Sequence, residues 1–166
     1  IMEGGNVVQV GTAEEILRKP ANDYVRSFFR GVDASSILSA ADLARRTQVN
    51  IIDHAGMGVH SALERLRSHD REFGYVVSPD QQLMGVVSVD SLKKVARSSD
   101  NPKLREAFLA GVESVAHDCP IAGLYEPLTQ HPYGLPVVDA KGRYRGSITR
   151  NTMLEFLHAQ NSETSQ

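Results

Sequence analysis

The sequence predicts an α+β fold in which one small unit, strand–helix–strand–strand–helix, is used twice. Two stretches carry that prediction. Gly134 to Leu157 reads as strand, turn, strand, helix. Pro136, Val137 and Val138 make a short buried strand, and Asp139-Ala140-Lys141-Gly142 has turn chemistry. Arg143-Tyr144-Arg145 alternates as a half-exposed strand does, and Gly146 to Thr149 continues it. Thr149 or Asn151 can cap a helix whose apolar face is Met153, Leu154, Phe156 and Leu157. Phe73 to Ala96 has the same order: Val76, Val77, Gly85, Val87, Ser88 and Leu92 match Val137, Val138, Gly146, Ile148, Thr149 and Met153, each 61 residues on (146 − 85 = 61).

The register also reads as continuous upstream. Val59, Ala62, Leu63 and Leu66 lie at i, i+3, i+4, i+7, and Ile121, Leu124, Tyr125 and Leu128 repeat that spacing. Leu63 to Leu124 is again 61 residues. A gap-free offset across strand, helix and turn implies an internal duplication. Small sheets should then bury Val76, Val77, Val87, Val137, Val138 and Ile148.

Length and composition set the bounds. A chain of 166 residues makes one or two small domains, and 41% hydrophobic content supplies a core. A net charge of −2 argues against a nucleic-acid partner held by general charge. No apolar run approaches a membrane span, and no signal peptide is read. The single cysteine, Cys119, rules out an internal disulfide and fits a reducing cytoplasm. The chain starts mid-strand and reads as part of a longer protein.

Residues 1 to 11 are two short strands around Glu3-Gly4-Gly5-Asn6. Thr12 and Glu15 form a capping box for a helix that Pro20 stops near Lys19. Asn22 caps a second helix with the apolar face Tyr24, Val25, Phe28 and Phe29, ended by Gly31. Residues 33–47 read as a linker, with a short helix from Ser39 through Arg45-Arg46. The first repeat spans 48–100 and opens with a strand over 49–55. Ser98 to Pro102 is a break. The second repeat spans 101–160. The segment Arg97 to Gly111 joins the repeats and holds a short helix over Lys103 to Ala110, with Leu104, Ala107 and Phe108 on one face; residues 112–118 start the second repeat as a strand. Residues 161–166 are a polar, frayed tail.

The pattern Pro136-Val137-Val138-Asp139-x-x-Gly142-x-x-x-Gly146-x-x-Thr149, together with the repeat, resembles the cystathionine-β-synthase (CBS) domain, which occurs in tandem pairs. The resemblance covers roughly residues 48–160 and implies two repeats packed about a pseudo-two-fold axis. It also implies a homodimer formed through the modules. A second resemblance lies in residues 1–32. Ile1, Met2, Gly5, Gln9, Gly11, Thr12, Glu15 and Ile16 match a pattern from the end of ABC-transporter ATPase domains. The two together look most like the ATP-binding subunits of glycine betaine/proline importers. That likeness implies a regulatory module that couples ionic strength or osmotic state to ATP-driven uptake. It implies an upstream ATPase domain with ATP and Mg, a permease partner, and a cytoplasmic place at the inner face of the cell membrane.

The candidate chemistry is sparse. No G-x-x-x-x-G-K-[ST] loop occurs, so no catalytic residue is assigned and no ATP hydrolysis is expected of this chain. His117-Asp118-Cys119 lacks zinc-site spacing and reads as a strand end entering a turn; no metal is expected. CBS pairs often bind adenine nucleotides between the repeats through G-x-x-[ST]-x-x-D. Here the hydroxyl residues are Ser88 and Thr149, and Ser91 and Thr152 stand where the carboxylate would. The resemblance thus makes Ser88, Ser91, Pro136, Thr149, Arg150 and Thr152 candidate ligand-binding residues. The residues alone also permit Ser88, Asp90, Thr149 and Asn151 to be helix N-caps. Lys141, Arg143, Arg145 and Arg150 form a basic stretch that could meet an anionic membrane or acidic surface, and such contacts weaken as salt rises. A plain solvated hairpin is the competing reading. Two functional alternatives remain beside the regulatory one: an adenine- or cyclic-dinucleotide sensor, and a dimerisation scaffold.

Overall fold

The leader opens on a two-residue hairpin, β1 (Met2–Glu3) and β2 (Asn6–Val7), turned by Gly4 and Gly5 at φ of 57° and 84°. A computed structural model of the chain describes residues 1–54, 57–98 and 100–164, with side chains up to residue 159. The capping box forms as read: Thr12 accepts from the Glu15 N–H, Glu15 accepts from the Thr12 N–H, and α1 (Ala13–Arg18) follows. Asn22 caps α2 (Asp23–Ser27). That helix is shorter than its apolar pattern. Only Val25 of the expected face is buried, and Phe28 lies beyond the helix, 53% exposed.

The first repeat is β3 (Val49–Ile52), α4 (Val59–Ser68), β4 (Phe73–Val77), β5 (Leu83–Ser88) and α5 (Val89–Ser98). Its sheet has the order β3-β4-β5. β3 and β4 are parallel because a helix crosses between them; β4 and β5 are an antiparallel hairpin. The strand read over 49–55 stops at Ile52, and residue 55 lies outside the described residues. The second repeat is β6 (Val115–Ala116), α6 (Tyr125–Gln130), β7 (Leu135–Val138), β8 (Tyr144–Ile148) and α7 (Arg150–Thr164), with the order β6-β7-β8. α7 carries the backbone through residues 161–164, which read as a tail.

The 61-residue offset holds through both hairpins. Val76 pairs with Gly85 and Val137 with Gly146, and each hairpin has its irregularity at the matching step, Val76/Val77 and Val137/Val138. It does not hold upstream. The buried helix positions Val59, Ala62 and Leu66 correspond to Ile121, Leu124 and Leu128, each 62 residues on (121 − 59 = 62). In the first strands, Ile51 pairs with Val76 as Val115 pairs with Val137, a spacing of 64 (115 − 51 = 64). The second repeat starts its first helix as a 3₁₀ turn, Ile121–Leu124, running into α6, yet keeps the helix's internal spacing; the offset changes in the connections, which are two residues shorter before the helix (8 against 6) and one shorter after it (10 against 9).

Period-two alternation divides each hairpin between two cores. Ile51, Val76 and Val87 face α4 and α5 in one cluster; Leu135, Val137 and Ile148 face Ile121, Leu128 and Met153 in another. The opposite faces meet in a third cluster of Tyr75, Val77, Val86, Tyr133 and Tyr144. Five of the six expected core positions are fully buried. Val138 is half-buried: the third cluster holds its counterpart Val77, but its aromatic bulk does not extend over Val138.

Residues 33–47 are more than a linker. Their helix, α3 (Ala40–Leu43), ends before Arg45-Arg46, and Ala40 and Leu43 belong to the core of the second repeat. Arg45 continues as an extended edge on β8: its N–H donates to the Ser147 carbonyl at 2.9 Å, and the Ser147 N–H donates back at 3.0 Å. The segment after the first repeat closes the first sheet in the same way. It is a 3₁₀ turn, Leu104–Ala107, and then the Leu109 N–H donates to the Val86 carbonyl at 2.8 Å. Two matched glycines admit these edges. A Cβ at Gly85 would lie 2.6 Å from the Phe108 ring, and one at Gly146 would lie 2.9 Å from the Arg45 carbonyl oxygen.

Candidate functional site

Each repeat ends its hairpin in a hydroxyl side chain that starts a helix. The Ser88 hydroxyl accepts from the Ser91 N–H at 2.9 Å, and the Ser91 hydroxyl accepts from the Ser88 N–H at 2.9 Å. This is a reciprocal cap with serine where a capping box has glutamate. The Thr149 hydroxyl accepts from the Thr152 N–H at 3.2 Å, and the two hydroxyls are 2.9 Å apart. All four candidate hydroxyls therefore serve helix starts. Asp90 and Asn151, also expected as caps, sit inside the first turns of α5 and α7.

Arg150 is likewise engaged. Its Nε donates to the Leu128 carbonyl at 3.0 Å, and its Nη2 donates to the carbonyls of Thr129 at 3.2 Å and His131 at 3.1 Å. These are carbonyls at the end of α6, where the last carbonyls of any helix have no N–H of the same helix to accept from. Pro136 is buried in β7 opposite Ser147. The structure thus groups Thr149, Arg150 and Thr152 at one junction and Ser88 with Ser91 at the other.

Between the junctions the repeats are joined by tyrosines. Tyr75 and Tyr144 stack with centroids 5.2 Å apart at 25°. The Tyr75 hydroxyl donates to the Gly134 carbonyl at 2.6 Å. Gly134 permits this approach, because a Cβ there would lie 3.0 Å from that hydroxyl. Burial pushes the Tyr75 phenol up to about 12 and raises Tyr144 as well. Sequence reading missed this joint, although Tyr75 and Tyr144 do occupy the strand faces that alternation turns away from the helices.

The hairpin tips also meet. The Tyr144 N–H donates to the Gln81 carbonyl at 2.8 Å and the Leu83 N–H to the Gly142 carbonyl at 3.2 Å. Gln81 adopts a φ of 66° to make the tight turn. The basic stretch lies on this braced hairpin, and it is not a uniform positive patch. Arg145 places Nη2 and Nε 2.7 and 3.1 Å from Asp139 Oδ2. Backbone N–H groups of Arg143 and Lys141 also donate to Asp139, which holds its carboxyl below the usual range, the Arg143 N–H most of all. Arg150 is turned onto α6. Lys141 and Arg143 remain exposed.

The leader touches the second repeat through charge. Arg18 Nε lies 3.0 Å from Asp42 Oδ1, and Arg18 also pairs with Glu14. Asp42 Oδ2 meanwhile accepts from the Ser39 N–H at 2.8 Å and its hydroxyl at 3.0 Å, capping α3. A groove of about 400 Å³ runs beside this pair, between α1, α3 and α7, with Thr152 and Phe156 in its wall. Among the described residues, no group of three or more His, Cys, Asp or Glu side chains could hold a metal, and no helix is long and apolar enough to cross a membrane. His117-Asp118-Cys119 is the turn that leaves β6.

No family model matches the chain. Over 158 residues it is 45% identical to the glycine betaine/proline betaine transport system ATP-binding protein ProV of Salmonella typhimurium, a match covering 95% of this chain and 39% of that protein. The chain therefore spans about two fifths of the length of the curated relatives it matches most strongly. Among solved structures, OpuCA of Staphylococcus aureus superposes with a TM-score of 0.61 at 20% identity, covering 70% of this chain and 97% of that one. CBSX2 in complex with AMP superposes with a TM-score of 0.60 at 20% identity, covering 75% of this chain and 98% of that one. Neighbours of this kind are CBS domain pairs, and the α+β architecture described above is that fold.

Proposed function

We propose that this chain, a CBS domain pair homologous to the ATP-binding subunits of glycine betaine importers, regulates such an importer by coupling ionic strength or osmotic state to ATP-driven uptake. The observation that carries the reading is the 45% identity along 95% of the chain, leader and both repeats included. The chain itself does no ATP chemistry in this reading. An ATPase domain with ATP and Mg, a permease and a second copy of the CBS pair are its partners, at the cytoplasmic face of the membrane. The exposed cations Lys141 and Arg143 would meet an anionic surface at low salt and leave it as salt rises. Transport by the intact importer, with and without residues 34–166, tests this across a range of internal salt. Loss of the salt response on deletion supports the reading, and an unchanged activation curve overturns it.

A second reading is favoured by the AMP held by CBSX2. In it, an adenine nucleotide would bind near Thr149, Arg150 and Thr152 or near Ser88 and Ser91. Against it, the chain has hydroxyls where a ribose-binding carboxylate is needed. One lost charge-assisted hydrogen-bond pair weakens binding roughly 10- to 100-fold. Calorimetry with AMP and ATP decides. Low-micromolar binding would establish the nucleotide reading, and its absence would remove it.

A further inference from the structure

A second hollow has none of the candidate hydroxyls in its lining, although Arg71 is adjacent to Glu72, whose carbonyl accepts from the Val89 N–H after Ser88. Its volume is about 340 Å³, and it opens where residues 46–48 enter β3, beside the last turn of α4. Arg46, Arg65, Arg71 and His69 converge on it, with Thr47 and Asn50 among the polar residues of its wall. No carboxylate lines it, and neither do Ser88, Ser91, Pro136, Thr149, Arg150 or Thr152. Among the described residues none of the three arginines has an ion pair. Yet the chain carries more acidic than basic side chains, 20 against 18, so carboxylates are not scarce.

Cations gathered around one recess repel each other unless an anion shares it. A guanidinium offers a planar fork of N–H donors that matches two phosphate oxygens at once. Arg46 keeps its fork available, because only its Nε is engaged, donating to the Arg145 carbonyl at 3.2 Å. The His69 ring is held by Nδ1, 2.9 Å from the Arg65 carbonyl. Asn50 keeps its amide oxygen buried without a partner. Reversing that amide would place its NH₂ there instead, a further donor for an oxyanion.

We propose that this hollow binds a phosphate group, either free phosphate or the phosphate of a small soluble molecule. Two chain segments border the half-open recess from two sides, and its concave shape suits a compact oxyanion better than a flat bilayer. The occupant would tie α4 and its following turn, through Arg65 and Arg71, to Arg46. That residue is attached in turn to β8 of the second repeat. The inference does not depend on the importer reading, since it rests on the chain's own side chains.

The test titrates the full chain with inorganic phosphate at constant ionic strength, using sodium chloride as the matched control, and follows amide NMR shifts. Saturable shifts confined to residues 46–50 and 65–71 are expected with phosphate and not with chloride. Arg65→Gln with Arg71→Gln should weaken the site at least about tenfold, as loss of charge-assisted hydrogen bonds does. The thermal midpoint without phosphate should stay unchanged. Lys141→Gln, a cation outside the hollow, should leave the affinity as it was. Equal responses to phosphate and chloride, or equal weakening by Lys141→Gln, overturn the proposal in favour of general charge. A third arm uses phosphatidylglycerol vesicles. Co-sedimentation that requires Arg65 and Arg71 and is not displaced by millimolar phosphate would assign the arginines to a membrane and overturn it too.

Discussion

Tyr75→Phe removes one oxygen and leaves every ring contact in place. Tyr75 is buried, and its hydroxyl is the donor to the Gly134 carbonyl at 2.6 Å across the two repeats. Without it that carbonyl faces an apolar ring edge. A buried acceptor left without a donor costs about 1–3 kcal/mol. For a chain of this length each kcal/mol lowers the midpoint by about 2–4 °C, so a cost near 2 kcal/mol predicts a drop of roughly 4–8 °C. Circular dichroism melts and urea titrations measure it, and the urea slope should not change, because the exposed surface does not. A double-mutant cycle of Tyr75→Leu with Tyr144→Leu isolates the stack, for which a coupling of about 0.5–1.5 kcal/mol is expected. If Tyr75→Phe melts with the parent chain and the cycle gives no coupling, the repeats are not joined through these rings and the joint described here is wrong.

Three further outcomes follow from the same geometry. Alkali should destabilise the chain. A phenol raised from 10 to about 12 on folding stabilises fully below pH 10 and loses that contribution as pH rises toward 12, at about 1.4 kcal/mol per pH unit; Tyr75→Phe should flatten this decline in pH-dependent urea titrations. Gly146→Ala combines a φ of 143° with a Cβ 2.9 Å from the backbone oxygen of Arg45, so it should cost about 1–3 kcal/mol and increase hydrogen exchange at Arg45 and Ser147. Val137→Asp should cost several kcal/mol and Val138→Asp much less, because Val137 is fully buried and Val138 half-exposed; equal midpoints for the two would contradict the register of β7.

What could be read from the sequence was what local chemistry determines. Each hairpin alternates, carries its own turn residues and repeats after 61 residues, so Val76, Val87, Val137 and Ile148 fell into the right cores. Capping side chains sit within three residues of the groups they bond, so Thr12, Asn22, Ser88 and Thr149 were readable too. The failures are non-local or lie in connections. The loops on either side of the second repeat's first helix are shorter than in the first repeat, so the 61-residue offset of the hairpins does not carry through them to the helix or the first strand. The pairing of Arg45 with Ser147 is made by backbone alone across a hundred residues, and leaves no side-chain pattern to find. Counting charge along the chain does not show which cations of the basic stretch are engaged. The hairpin folds Arg145 back onto Asp139, six residues away, and Arg150 reaches the end of α6.

The pairing of Arg45 also decides how the leader is connected to the repeats. In sequence the leader adjoins the first repeat. In space its ion pair from Arg18 reaches Asp42, which caps α3, and α3 packs into the second core and passes directly into the edge strand on β8. β8 carries Tyr144, whose ring stacks on Tyr75 of the first repeat, and its turn is braced against Gln81 and Leu83. The leader's contact with α3 therefore lies beside the second sheet, while residues 46–48 carry the chain on into β3 of the first. The pair of Arg18 with Asp42 is half-exposed on the arginine side, so salt screens it in part. Its position matters more than its strength, because the carboxylate that meets the leader is the same one that starts α3. Screening of the Arg18 contact would leave the Ser39 cap in place, because that cap uses the other carboxylate oxygen of Asp42.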